Sequence, residues 1–240
     1  MYSLSVGQAT DVGRVRDHNE DAKLADPPIF VVADGMGGHA AGEVASAMAV
    51  AAFARFAGQD EVTVDQIADC IADINAQVLA EMDAEPETAG MGTTITGVAI
   101  TTIDDAPHWI VFNVGDSRVY LRSAGQLSRR TIDHSEVEEM VVAGYLTPAE
   151  ARVHPRRHVV TRSIGSEPAP EADVWVLAAS PGDQMLVCSD GLTNEVDDAE
   201  IDLLLGSSGT AQDIADGLVE RALIAGGRDN VTVIVAVLDS

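Results

Sequence analysis

Residues 93–130 read as four short β-rich runs, TTITGVAITT, HWIVFNVG, SRVYLRS and GQLSRR, interrupted only by IDDAP, GDS and SAG. Such interruptions are hairpin punctuation, and strands joined by tight turns pair antiparallel. Parallel neighbours need a crossover of a dozen residues or more, so this stretch excludes a regular βαβ alternation. LSVGQAT and PIFVVAD supply two earlier strands, each ended by Asp, Gly or Thr. Residues 41–57 are rich in helix formers, and residues 64–82 place Ile67, Ile71, Ile74, Val78 and Met82 at three- and four-residue intervals, a second helix. ADVWVLA, DQMLVCSD and NVTVIVAVL resume the strands, and DDAEIDLLL and AQDIADGLVERAL form a second helix pair. Hairpin-linked strands with paired helices predict an α+β fold: a four-layer α-β-β-α sandwich, two mostly antiparallel sheets flanked by helix pairs. We expect a single domain over residues 1–240.

Residues 133–165 break the pattern, with helix-like pieces at 137–143 and 148–153 and four arginines, Arg152, Arg156, Arg157 and Arg162. They predict a surface flap at about 135–165 whose basic rim attracts acidic or multiply phosphorylated segments. A solvated loop with ordinary salt bridges is the competing reading.

Charge narrows the function. Asp and Glu number 39 against 14 Lys and Arg, a formal net charge of −25. That field repels nucleic acid and anionic membrane surfaces. The two cysteines, Cys70 and Cys188, lie in apolar patterns without metal-type spacing and read as buried filler. No secretory signal follows Met1, and the most apolar stretch, residues 44–54, falls short of the roughly 20 residues a spanning helix needs. The expectation is a soluble, cytoplasmic chain, monomeric, with no membrane contact of its own.

Four Asp residues stand where an apolar run stops: Asp34 after IFVVA, Asp116 after FNVG, Asp190 after MLVCS and Asp229 before NVTVIVAVL. Any one alone is most simply a turn residue or helix cap. Strand ends, however, are where a rigid sheet aims side chains at one point. Glu20 and Asp21, in RVRDHNEDA, add two carboxylates after Arg14 and Arg16. Hard divalent cations such as Mg²⁺ and Mn²⁺ take oxygen ligands and keep several waters, so scattered Asp with little His suits them better than zinc. Two such ions about 4 Å apart, with a bridging carboxylate and a shared water, make a nucleophile at neutral pH. The chemistry indicated is attack on phosphorus. A phosphomonoester carries about −1.5 to −2 charges, and so acidic a chain binds one only where metal and Arg invert the local field.

In this order, RDHNED with its preceding Arg, VVADGMGGHAAGE, GTTITG, NVGDSRVYL, CSDGLTNEV and GGRDNVTVIV resemble the motifs of the metal-dependent Ser/Thr protein phosphatases of type 2C, most nearly the bacterial branch. The likeness runs from about Gly7 to Val237. It implies the sandwich expected above and a centre of two Mn²⁺ or Mg²⁺ ions, with a third, weaker site, at one end of it. Asp34 then resembles the carboxylate bridging both ions, with the carbonyl of Gly35 as a further ligand. Asp190 and Asp229 look like ligands of the other ion, and Asp116 like the residue that helps Asp190 hold the third. Glu20 and Asp21 resemble the acidic pair that holds metal-bound waters, and Asn230 supports either their loop or those waters. Arg16 looks like the phosphate-binding arginine, a guanidinium fork suited to bidentate contact.

The implied activity is hydrolysis of phosphoserine and phosphothreonine on proteins by direct attack of a metal-bridging water or hydroxide, with no phosphoenzyme. Partners would be phosphorylated substrates of a Ser/Thr kinase, and the kinase itself. Where animal-type relatives carry a His directly after the Asp-Gly pair, this chain has Met36, which cannot protonate a leaving alkoxide. His39 is an uncertain substitute, against metal-bound water as the acid. His134 and Ser135, in IDHS, match a family position near the flap, with a functional and a structural role equally open.

Two other readings compete with this one. GMGGHA, from Gly35 to Ala40, formally fits the dinucleotide pattern G-x-G-x-x-G/A, but Asp34 would set a carboxylate beside a pyrophosphate and no alternating βαβ unit follows. A catalytically weak phosphoprotein-binding regulator of the same fold is the alternative function; Asp34, Asp190 and Asp229 are all retained, which favours an enzyme.

Overall fold

The computed structural model describes residues 3–37 and 41–239. In chain order the strands are β1 (Leu4–Asp11), β2 (Asp21–Asp26), β3 (Ile29–Met36), β4 (Gly92–Thr93), β5 (Ile95–Ile103), β6 (Ala106–Val114), β7 (Arg118–Ser123), β8 (Gln126–Arg129), β9 (Asp173–Ala178), β10 (Gln184–Cys188) and β11 (Val231–Leu238). The helices are α1 (Ala41–Phe53), α2 (Val64–Ala84), α3 (Glu136–Val142), α4 (Pro148–Val153), α5 (Asp190–Thr193), α6 (Asp198–Leu205) and α7 (Ala211–Ala225). One sheet has the order β1-β11-β10-β7-β8 and the other β2-β3-β5-β6-β9, with β4 attached to β3. Every pairing is antiparallel.

The layers follow from period-two alternation in strands that are buried on both faces. Along β3, Phe30 and Val32 point between the sheets, where they meet Trp109, Val187 and Ile234. Ile29, Val31 and Ala33 point the other way, onto α1 and α2. Leu186, Val233 and Val235 do the same beneath α6 and α7. The α2 helix starts at a capping box, Thr63 with Gln66, and α7 at another, Thr210 with Asp213, so orphan N–H groups at both starts are satisfied locally.

The structure corrects the sequence reading in three places. IDDAP and SAG are hairpin turns, with Asp104, Asp105, Ala124 and Gly125 all at positive φ, the conformation that tight hairpins require. GDS is not: β6 lies in one sheet and β7 in the other, so Asp116 sits on a crossover between sheets. Gly115 turns that corner at φ +116°, where an added Cβ would lie 2.5 Å from the Thr94 side chain. Second, residues 21–26, DAKLAD, form a strand that their weak β propensity conceals; they are held by pairing with β3 in the register Asp21 to Asp34 through Asp26 to Ile29. Third, β3 continues through Asp34 to Met36. Gly35 therefore makes no turn. Its missing side chain lets α1 approach, because a Cβ there would lie 2.2 Å from the Gly42 carbonyl oxygen.

Among the described residues no helix is long and apolar enough to cross a membrane. The α1 face is anchored by Phe53, fully buried and stacked on Phe112 of β6 at a ring-centroid distance of 5.3 Å. Phe53→Ala is expected to cost about 3–5 kcal/mol, read as a lower urea midpoint with an unchanged m-value.

Candidate metal centre

A cleft of about 480 Å³ opens where β3, β10 and the loop before β11 end, and Arg16, Glu20, Asp34, Gly35, Asp116, Asp190, Asp229 and Asn230 all line it. Strand pairing accounts for most of that convergence. Antiparallel β2 and β3 set Asp21 opposite Asp34. Adjacent β10 and β11 bring Asp190, the first residue of α5, near Asp229, with Ser189 N–H donating to the Thr232 carbonyl at 3.0 Å. Asn194, one helical turn on, donates to Asp190 Oδ2 at 2.9 Å.

The loop carrying Arg16 is fastened to the loop before β11. Arg14 N–H donates to the Gly227 carbonyl at 2.7 Å. Asn230, buried, donates from Nδ2 to the carbonyls of Val12 and His18 and accepts the Glu20 N–H at Oδ1. Its amide is engaged with loop backbone, so of the two roles open to it the loop support is the one these bonds describe. Arg16 is thereby presented with one guanidinium nitrogen 2.8 Å from Asp229 Oδ2 and about half of its side chain exposed to the cleft. Glu20 is held by its main chain: its carbonyl accepts from Gly35 N–H at 3.1 Å and from the Ser46 hydroxyl at 2.6 Å.

Asp21 stands behind the cleft. Ser189 donates to its Oδ2 at 2.8 Å, while Oδ1 is buried without a partner. His39 lies outside the described residues.

Crowding gives these carboxyls unusual affinities for protons. Burial, reinforced by Asp21, Asp190, Asp116 and Asp229, drives Asp34 well above the ordinary carboxylate range. Burial and then Asp190 and Asp133 do the same to Asp116, and burial and then Asp229 raise Asp190. Asp21 is pushed up to about 7, chiefly by burial. Like charges in low dielectric cannot all ionise without a counter-charge. The donor set is oxygen, and one of its buried oxygens, Asp21 Oδ1, has no hydrogen-bond partner. This is the chemistry of hard divalent ions that retain water, and the residues fit Mg²⁺ or Mn²⁺.

Residues 135–165 carry α3 and α4, and the arginines of this segment do not make a uniform rim. Arg152 faces Asp198 at 3.7 Å, Arg156 pairs with Glu136, and Arg162 with Asp173 at 2.8 Å. Arg157 and His158 are the flap side chains that line the cleft with a basic or titratable group. Sequence reasoning gave His158 no role, and no spacing signal distinguishes it. Thr94 was also missed: its hydroxyl accepts the Asp34 N–H at 3.0 Å and pairs with Ser117 at 2.9 Å, fixing the backbone that carries Asp34 and Asp116.

Residues 14–207 match the family model described as Protein phosphatase 2C. The chain belongs to the protein phosphatase 2C family. The serine/threonine phosphatase stp of Listeria monocytogenes is 36% identical over 241 residues, covering 96% of this chain and 94% of that protein. Among solved structures, the Mycobacterium tuberculosis serine/threonine phosphatase PstP/Ppp superposes with a TM-score of 0.93 at 36% identity, covering 100% of both chains. The catalytic domain of PstP in complex with two manganese ions gives 0.91 at 34% identity, again over 100% of both. The four-layer fold expected from the sequence is thus that of this phosphatase family.

The raised carboxyl affinities have a consequence for stability. An unfolded Asp ionises near 3.8, whereas folded Asp21 holds its proton to about pH 7. Its contribution is therefore present below about pH 4 and is lost as pH rises through 7. In chelator, the melting temperature should fall between pH 4 and pH 7.5, and Asp21→Asn should lessen that fall; an unchanged slope in the variant contradicts the assignment.

Proposed function

We propose that this family member hydrolyses phosphoserine and phosphothreonine on proteins, using Mn²⁺ or Mg²⁺. The observation that carries the reading is the cleft itself, in which Asp34, Asp116, Asp190 and Asp229 face Arg16 with too little positive charge to neutralise them. Asp34, the Gly35 carbonyl, Asp190 and Asp229 would hold two ions, Asp116 with Asp190 a third, and Glu20 and Asp21 their waters. When bound, the ions supply an activated water and neutralise the phosphoryl oxygens.

The chain's own residues do the rest. Arg16 has guanidinium N–H groups to spare beyond its bond to Asp229 and can grip the phosphate by its fork. The Asp229 contact holds that fork in place, so little ordering remains to be done when substrate arrives. Arg157, on the flap, sits where residues flanking the phosphate would cross the cleft. Met36 lines the cleft and cannot transfer a proton. Substrates are proteins phosphorylated by a Ser/Thr kinase, the kinase among them, and the reading sets this work in the cytoplasm with a monomeric chain.

The test is phosphopeptide hydrolysis with Mn²⁺, with chelator, and with Asp34→Asn. Chelator should abolish turnover, and the substitution should lower kcat by at least about a hundredfold. Turnover that survives both would defeat the proposal. Phosphopeptide binding with no turnover in Mn²⁺ would instead favour the regulator reading.

A further inference from the structure

His134 is buried beside the crossover that carries Asp116. Gly115 N–H donates to its Nδ1 at 3.0 Å, and His134 N–H returns a bond to the Gly115 carbonyl at 2.9 Å. Nδ1 must therefore be bare and the ring proton must lie on Nε2, 3.2 Å from Asp173 Oδ2. Burial holds the ring below its ordinary pKa, so it is neutral. Asp173 accepts at Oδ1 from Arg162 at 2.8 Å, and Thr161 N–H donates to the His134 carbonyl at 2.8 Å. The flap leaves the sandwich at Ser135 and returns at Val160, where those two residues bridge. Both its ends thus meet His134.

We propose that His134 is a positioning residue for Asp116: one ring nitrogen clamps the Gly115 turn that aims Asp116 into the cleft, and the other fastens the returning end of the flap. The turn needs such a clamp. Gly115 sits at φ +116° against Thr94, a conformation open to glycine that nothing in the local sequence favours. Asn113 also donates to the Gly115 carbonyl, at 3.0 Å, but the Gly115 N–H goes to the imidazole. The inference rests on the reading of Asp116 as a cation ligand. The network resembles ligand-orienting hydrogen bonds around metal sites, whose loss typically weakens binding about 10- to 100-fold.

Two substitutions separate the halves of the clamp. His134→Asn sets an amide oxygen near the position of Nδ1 and stops short of Asp173. His134→Gln reaches Asp173 with its amide nitrogen and leaves the Gly115 N–H unmatched. Amide hydrogen exchange over residues 111–118 and 136–162, with calorimetric Mn²⁺ titration, reads the outcome. His134→Gln should speed exchange at the turn and weaken the last, weakest Mn²⁺ step at least about tenfold, with the flap protected as in the parent. His134→Asn should speed flap exchange at least about tenfold and leave the turn and the Mn²⁺ isotherm near the parent. If both variants loosen both segments together, in step with a lower melting temperature, or neither changes either segment, the proposal is wrong. Asp116→Asn is titrated in parallel. Should it bind Mn²⁺ like the parent, the cation reading of Asp116 fails by itself, and the exchange pattern alone then upholds or overturns the clamp.

Discussion

Repulsion among the carboxylates at one end of the sandwich is the constraint on which the rest of the molecule turns. Burial first, and then the charges of Asp21, Asp116, Asp190 and Asp229, raise the proton affinities within this cluster, and a free chain would separate and hydrate them. What holds them is apolar. Strands buried on both faces, between the sheets and under two helix pairs, fix the ends from which these side chains project. At roughly 25 cal/mol per Å² of buried apolar surface, three such layers offset a local charge conflict easily. The site is strained electrostatically because the scaffold is not strained sterically.

That division explains what could be read in advance. Hairpins and amphipathic helices announce themselves by period and by turn residues, so nine of the eleven strands and both helix pairs were legible. DAKLAD was not, because an edge strand made by its partner needs no β-branched residues of its own. The sheet-to-sheet crossover at GDS was mistaken for a hairpin because turn chemistry says that the chain bends, and leaves open which sheet receives it. Nor does the sequence around Gly35 announce that its missing side chain admits a helix backbone.

Within the site, the cleft-lining acids and Arg16 were recognisable from strand ends and motif order. The supports were less visible. Asn230, Thr94 and Ser189 act through hydrogen bonds between segments far apart in the chain, and such partners leave no spacing signal. Asp21, read with Glu20 as an acidic pair, stands behind the cleft, opposite Asp34 in a strand pairing the sequence did not reveal. The flap shows the same limit in reverse: four arginines suggested a basic rim, and pairing with Asp198, Glu136 and Asp173 occupies three of them.

On this reading the fold assembles a carboxylate cluster whose raised proton affinity is relieved when divalent cations bind. Calorimetric Mn²⁺ titration at pH 6.5, in buffers of differing ionisation enthalpy, tests it most directly. Ion uptake should release protons to the buffer, because burial and neighbouring acids raise the proton affinity of Asp34 and of the carboxyls around it, and Asp34→Asn should reduce both the ions bound and the protons released. Uptake with no net proton release, or uptake unaltered by Asp34→Asn, would contradict it.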